Sequence, residues 1–241
     1  MMPKYSAFST QNLKYYDLIG RESIRTFLEK WPAEITYTLY AEDFEPGIKD
    51  SRLIVKGWHD VKRSLDDYVA KHNRSVDDEM YKFWIKSFAW LQGAKDIKCE
   101  FLIWLDSDII TDKEIDQSWL DSIIDQEALI TDIPSGDFLK DKESETGFAV
   151  LNFKNTFAQE FISEYKKHYD DNTITNLHRH IDSAVWWNTT KILETKTKIN
   201  HLHTTDDHWG PFKYTILAER LTHWIAAKNK RAWANGKARV V

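Results

Sequence analysis

Asp106 and Asp108 carry the first suggestion of chemistry in this chain. They sit in "CEFLIWLDSDIITD", Cys99 to Asp112, directly after the apolar run Phe101 to Leu105. In extended chain, residues i and i+2 point the same way. Two carboxylates aimed at one spot repel. Three things relieve that repulsion: a divalent cation, a shared proton, or exposure to water. A cation held this way neutralises a phosphate or diphosphate, and Ser107 between the carboxylates leaves room for one. A plain polar turn is the bland alternative, since Asp and Ser are common turn residues.

Other residue types could join them. Lys86 lies on a helix-patterned segment off its apolar stripe. His178, His180, His201, His203 and His208 fall close together in sequence. Zinc would need converging ligands at defined spacing. The chain has one cysteine and no H-E-x-x-H, so zinc is set aside. Trp186, Trp187 and Trp209 lie beside polar clusters and could line a cleft that takes a sugar or a base; a role in the core is the alternative.

The elements that must position these groups follow from periodicity. Strands are expected at Lys4 to Ser9, Glu34 to Tyr40, Leu53 to Val55, Phe101 to Leu105, Ala128 to Thr131, Phe148 to Phe153 and Lys198 to His203. Helices are expected at Leu13 to Trp31, stopped by Pro32, and at Val61 to Ala70. Asp77 to Ala94 reads as the clearest helix, with Ser75 as cap and Gly93 near its end. Thr111 and Glu114 read as a capping box that starts a helix right after the Asp-Ser-Asp turn. Asp132 to Ser144, with Pro134 and Gly136, reads as a loop. Further helices are expected at Asn155 to Tyr169, Asp182 to Asn188 and Tyr214 to Lys228, the last with Leu217, Leu221, Trp224 and Ile225 on one side. Alternating strands and helices imply an α/β fold with a mostly parallel sheet flanked by helices. Ligands bind such sheets at the carboxyl ends of the strands, where Asp106 and Asp108 fall.

Composition bounds the class. The chain has 241 residues, 42% hydrophobic, enough for a single large domain. A net charge of −5 argues against a dedicated nucleic-acid binder. With Cys99 as the one cysteine, no intrachain disulfide can form, which suits a reducing compartment. The first ten residues lack a signal-peptide core, and no apolar run reaches membrane-spanning length. A cytoplasmic location is expected. The segment from Lys228 to Arg239 is basic and reads as a tail, solvated or in contact with an anionic membrane or an acidic acceptor. The domain is accordingly drawn over residues 1–228 and the tail over 229–241.

Four segments in order resemble GT-A-fold glycosyltransferases, family 8 and related bacterial and phage proteins in particular. "WLDSD" resembles their D-x-D element. "ETGFAVLNF", Glu145 to Phe153, looks like their N-S-G-V-M-L-x-N segment, with Glu145 at the polar position, Gly147 at the glycine and Asn152 at the closing asparagine. "HIDSAVWWN" resembles D-Q-D-x-x-N, with Asp182 at the first Asp, Ser183 in place of Gln and Ala184 in place of the second Asp. "DDHWGPFKYT" looks like H-x-x-G-x-x-K-P-W, with Gly210 and Lys213 at their positions. Its metal-binding His falls on Asp207, with His208 one place late, and His201 or His203 could substitute.

The resemblance implies a GT-A, Rossmann-like single domain and a metal-dependent transfer from a nucleotide sugar, UDP-sugar by type, to an acceptor of unspecified kind: glycan, lipid, protein or small molecule. It implies Mn²⁺ or Mg²⁺ on Asp106, Asp108 and Asp207 or His208, with Ser107 and Gly210 beside the diphosphate and Lys213 as its counter-charge. Phe8, Ser9 and Thr10 would cradle base and ribose, and Lys86 would reach the nucleotide. Glu145, Gly147 and Asp182 would position sugars, with Glu145 also able to act as a base on the acceptor or to steady a cationic sugar centre. The bland readings are an ordinary strand end for Phe8 to Thr10, a solvated lysine, a turn carboxylate for Glu145 and a helix cap for Asp182. Two rival functions stay open. D-x-D after an apolar strand also resembles haloacid-dehalogenase-like phosphohydrolases, with Asp106 as nucleophile. The other is a GT-A-like domain that binds without turnover.

Overall fold

A computed structural model of the chain describes residues 2–75, 80–135, 143–202 and 211–224. The chain opens with β1 (Tyr5–Asn12), followed by one unbroken helical run: α1 (Leu13–Tyr15), a π-helical turn (Tyr16–Gly20) and α2 (Arg21–Lys30). Then come β2 (Thr36–Glu42), β3 (Leu53–Gly57), α3 (His59–Lys71), α4 (Tyr81–Asp96) and β4 (Phe101–Leu105). The second half holds β5 (Ile109–Thr111), α5 (Gln117–Ile123), β6 (Ile130–Ser135), β7 (Glu143–Asn152), α6 (Ala158–Asp170), α7 (Asp182–Leu193), β8 (Ile199–His201) and β9 (Leu221–His223).

Seven strands form one sheet in the order β3-β2-β1-β4-β7-β6-β8; β5 and β9 form a small second sheet. All pairings in the large sheet are parallel except those of β7, which runs against both β4 and β6. The mostly parallel α/β architecture expected from the sequence is therefore present.

Alternation along the strands divides the core. Tyr5, Ala7, Phe101, Ile103 and Leu105 face α2 and α5, packing with Ile24, Phe27, Trp31 and Leu120. Phe8, Leu102 and Trp104 face the other side, with Trp84, Phe88 and Trp90 of α4 and Trp186 of α7. Burial on both faces is why Phe101 to Leu105 is apolar without a break. Gly93 does not end its helix. It lies inside α4, where a Cβ would come 2.4 Å from the Phe8 ring, so it lets the helix ride close on β1.

Several local expectations fail for tertiary reasons. Thr111 caps no helix: it lies in β5 and accepts a hydrogen bond from Trp31 Nε1 at 3.0 Å. The helix begins at Gln117, where Asp116 Oδ1 accepts from Trp119 N at 2.7 Å. Ser75 does not cap α4, which starts at Tyr81 after Met80 with no side-chain cap. The expected Asp132 to Ser144 loop is strand at both ends, Asp132 to Ser135 in β6 and Glu143 to Ser144 in β7. Pro134 is tolerated there because β8 pairs only with Ile130 to Asp132, so its missing N–H breaks no ladder on that side. The expected helix from Tyr214 is two 3₁₀ turns, Pro211–Tyr214 and Ile216–Glu219, and then β9. Pairing of β9 with β5 overrides the helix-like spacing of its apolar residues. The proposed tail, 229–241, and the end of the 1–228 domain lie outside the described residues. No helix among the described residues is long and apolar enough to cross a membrane.

Candidate metal centre

β4 delivers Asp106 to the carboxyl edge of the sheet, and β7 continues the pairing with Asp106 N donating to Gly147 O at 2.9 Å. The Asp-Ser-Asp segment is a turn and not extended chain, closed by Ile109 N donating to Asp106 O at 3.0 Å. The two carboxylates still converge, because β5 starts at once and pairs with β9. That register sets His223 opposite Ile109. Trp224 then packs on Ile19 and Ile110 and donates its backbone N–H to Asp108 O at 3.2 Å, which locks β9 in place.

The result is three converging ligand types. His223 Nε2 lies 3.3 Å from Asp108 Oδ1 and 3.6 Å from Asp106 Oδ2. One ligand atom from each of Asp106, Asp108 and His223 lies within 4.8 Å of the others, the one such group among the described residues. Two carboxylates and an imidazole at the end of a buried strand suit a hard or borderline divalent cation.

Lys86 controls the other side. It lies on the same sheet face as Trp104 and Asp106, and its Nζ lies 2.7 Å from Asp106 Oδ1 and 3.2 Å from Asp182 Oδ2. It also donates to Thr146 O at 2.9 Å and Thr146 Oγ1 at 3.0 Å. Trp104 Nε1 donates to Asp106 Oδ1 at 2.7 Å, and Thr146 Oγ1 donates to Asp182 Oδ2 at 2.6 Å. Asp182 heads α7 in its first turn and is buried. Glu145 Oε1 accepts from Gly147 N at 2.9 Å and lies 3.6 Å from His223 Nδ1.

Charges explain the titration. Burial works against a charge on His223, but Asp108, Glu145 and Asp106 outweigh it and push its pKa up to about 9. Burial likewise opposes charge on Lys86, and Asp106 and Asp182 more than offset it, so its pKa is raised. Burial also pushes the Glu145 carboxyl up, against the pull of His223. Four carboxylates, Asp106, Asp108, Glu145 and Asp182, face two cationic groups, Lys86 and His223. A divalent cation would offset most of that negative charge, since His223 gives up its own positive charge when Nε2 ligates.

The remaining expected site residues divide. Ser107 is half-buried in the turn. Phe8 is core, edge-on to Trp90 and Trp104, and offers no surface to a ligand. Ser9 is fully buried. Thr10 does lie at the strand ends, donating to Tyr40 O at 2.9 Å and approaching Glu42 Oε1 at 3.4 Å. Lys213 is exposed, with its ammonium over the Tyr214 ring. His201 is taken by Asp132, whose Oδ1 lies 2.6 Å from His201 Nδ1, and does not join the cluster. Trp186 is core; Trp187 packs against His201 and Lys191. Asp207, His208, Gly210, His203 and Trp209 lie outside the described residues. Sequence reasoning missed His223. It sits in a three-residue strand, too short to show a period.

Glu42 gives a pH signature at this edge. Burial raises its pKa to about 7, with Thr10 pulling it down and Asp43 pushing it up. Between its ordinary value of 4.5 and about 7, the folded chain holds a proton that the unfolded chain has released. Its contribution to stability therefore falls as pH rises through that window and is flat above it. Glu42→Gln removes the slope, and the variant is expected to exceed the parent by about 2 kcal/mol at pH 8 and by much less at pH 5. Urea unfolding at the two pH values checks this. An equal difference at both would contradict it.

No family model matches the chain, and no curated protein matches it by sequence. Solved structures do resemble it. Galactosyltransferase LgtC, solved with donor and acceptor sugar analogues, superposes with a TM-score of 0.61 at 8% identity, over 98% of this chain and 97% of that one. Mouse xyloside xylosyltransferase 1, in its apo form, gives 0.53 at 10% identity, over 84% and 85%. The glycosyltransferase GlyE of Streptococcus pneumoniae TIGR4 gives 0.51 at 12% identity, over 95% of this chain and 56% of that one. The chain has the GT-A fold of these enzymes, as the resemblance in its sequence implied.

Proposed function

We propose that this GT-A-fold chain is a metal-dependent glycosyltransferase that uses a nucleotide-sugar donor, a UDP-sugar by type. The observation that carries the reading is the convergence of Asp106, Asp108 and His223 at the end of β4. These three would hold Mn²⁺ or Mg²⁺. The bound ion supplies positive charge where a diphosphate leaves. In the transfer, the bond from the sugar's anomeric carbon to the diphosphate breaks and its electrons leave with the diphosphate. The acceptor oxygen bonds to that carbon, and its proton passes to an oxygen of the departing diphosphate.

The chain's own residues set the geometry. Lys86 and Trp104 fix Asp106 by hydrogen bonds, and a ligand already held costs less to order on binding. Asp182, tied to Lys86 and Thr146, is the carboxylate we assign to the sugar hydroxyls. Thr10, at the carboxyl end of β1, is assigned to the nucleoside side, with Ser107 beside the diphosphate. Gly210 and Lys213 are assigned the diphosphate roles that the resemblance gave them, and His223 takes the third-ligand role that the resemblance gave to Asp207 or His208.

The hydrolase reading is weaker. A nucleophilic Asp106 needs a free carboxylate oxygen, yet Oδ1 is hydrogen-bonded by Lys86 and Trp104 and Oδ2 faces His223. The test is a screen of nucleotide sugars with Mn²⁺, reading release of nucleoside diphosphate. Metal-dependent release supports transfer. Binding of donor without release identifies a domain without turnover, and a trapped phosphoaspartate identifies the hydrolase.

A further inference from the structure

We infer that Glu145 is a positioning residue: its carboxylate is the acceptor for the Nδ1–H of His223, which keeps the proton on Nδ1 and so presents Nε2 to the metal. This deepens the metal reading above and rests on it. An imidazole can ligate through only one nitrogen in this setting, and the partner of the other nitrogen decides which. Nε2 already faces Asp108 and Asp106, at 3.3 and 3.6 Å. Nδ1 is buried, makes no hydrogen bond among the described residues, and faces Glu145 Oε1 at 3.6 Å. The carboxylate is the acceptor set in front of it.

Three further observations fix that arrangement. Glu145 lies in β7 opposite Ile133 of β6, so its backbone is held by the sheet. Its Oε1 is pinned by Gly147 N at 2.9 Å. Gly147 itself is the floor under the pair: a Cβ there would lie 2.8 Å from His223 Cε1 and 3.0 Å from both His223 Nδ1 and Glu145 Oε1. Gly147 also accepts from Asp106 N through its carbonyl, at 2.9 Å. Glu145 to Gly147 is thus one scaffold serving two of the three ligands. The sequence resemblance gave Glu145 a contact with sugar. The structure turns its carboxylate to the back of the histidine, so its effect on the reaction runs through His223.

The test is Mn²⁺ affinity, read as loss of the free-ion electron paramagnetic resonance signal, on the full chain. Outer partners of metal-bound histidines are worth about 10- to 100-fold in affinity. Glu145→Ala is expected to weaken binding by that factor, and Glu145→Gln, whose amide oxygen can still accept the proton, to recover most of it. Nitrogen-15 spectra of His223 in the Mg²⁺-loaded parent should show the proton on Nδ1, a readout that does not depend on any variant folding. Glu145→Ala binding Mn²⁺ like the parent would overturn the inference while leaving the metal reading intact; a proton on Nε2 would overturn the inference and take His223 out of the metal shell as well. A parent that binds no Mn²⁺ would overturn both.

Discussion

Asp108→Asn is expected to lower the proposed metal-dependent turnover of the donor on the order of a thousandfold while leaving the fold in place. Asp108 is buried, and its carboxylate meets His223 Nε2 at 3.3 Å. Asparagine matches its shape but removes the charge that would hold the cation. Metal stabilisation of a leaving group is worth several kcal/mol, and about 4 kcal/mol corresponds to three decades in rate. The fold survives because losing one of four neighbouring carboxylates relieves repulsion and offsets the lost His223 contact. Release of nucleoside diphosphate measures the rate, and thermal unfolding checks the fold. A variant within tenfold of the parent would remove Asp108 from the metal site.

Lys86→Met is expected to be the most damaging change to stability. Lys86 is half-buried and bonded to Asp106, Asp182 and Thr146. Methionine keeps most of its volume and none of its charge, which leaves the buried Asp182 and the half-buried Asp106 without their cation. Breaking a buried ion pair from one side costs about 3 kcal/mol or more. For a chain of this size that is a fall in Tm of roughly 6–12 °C. Because the deficit is positive charge beside Asp106, Mn²⁺ should restore part of the loss, and a chelator should abolish the recovery. Thermal unfolding in Mn²⁺ and in chelator decides it. An unchanged Tm would mean that Lys86 is a solvated surface group.

Much of this was legible in the residues where local pattern and tertiary structure agree. Phe101 to Leu105 reads as a buried strand because it is buried on both faces, and Asp106 and Asp108 stand at its end for the same reason. Lys86 was visible as a charge off an apolar stripe, though not that it closes an ion network. What stayed hidden depends on partners far along the chain. His223 reaches Asp108 only because β9 pairs with β5, over a hundred residues earlier, and three residues carry no period. Leu217, Leu221 and Trp224 imitate a helical stripe that the same pairing overrides. Thr111 and Glu114 imitate a capping box, but Thr111 is used by Trp31 and Asp116 supplies the cap. Glu145 was singled out by the resemblance of its segment to a glycosyltransferase motif; its orientation could not be read until His223 was placed beside it.

Calorimetric titration of UDP into the purified chain, with Mn²⁺ and with chelator, tests the central claim most directly. Asp106, Asp108 and His223 as a cation site for a diphosphate require binding in Mn²⁺, at least tenfold weaker binding in chelator, and loss of that difference in His223→Ala. UDP binding of equal strength with and without metal, or a His223→Ala variant that keeps the full metal dependence, would contradict it.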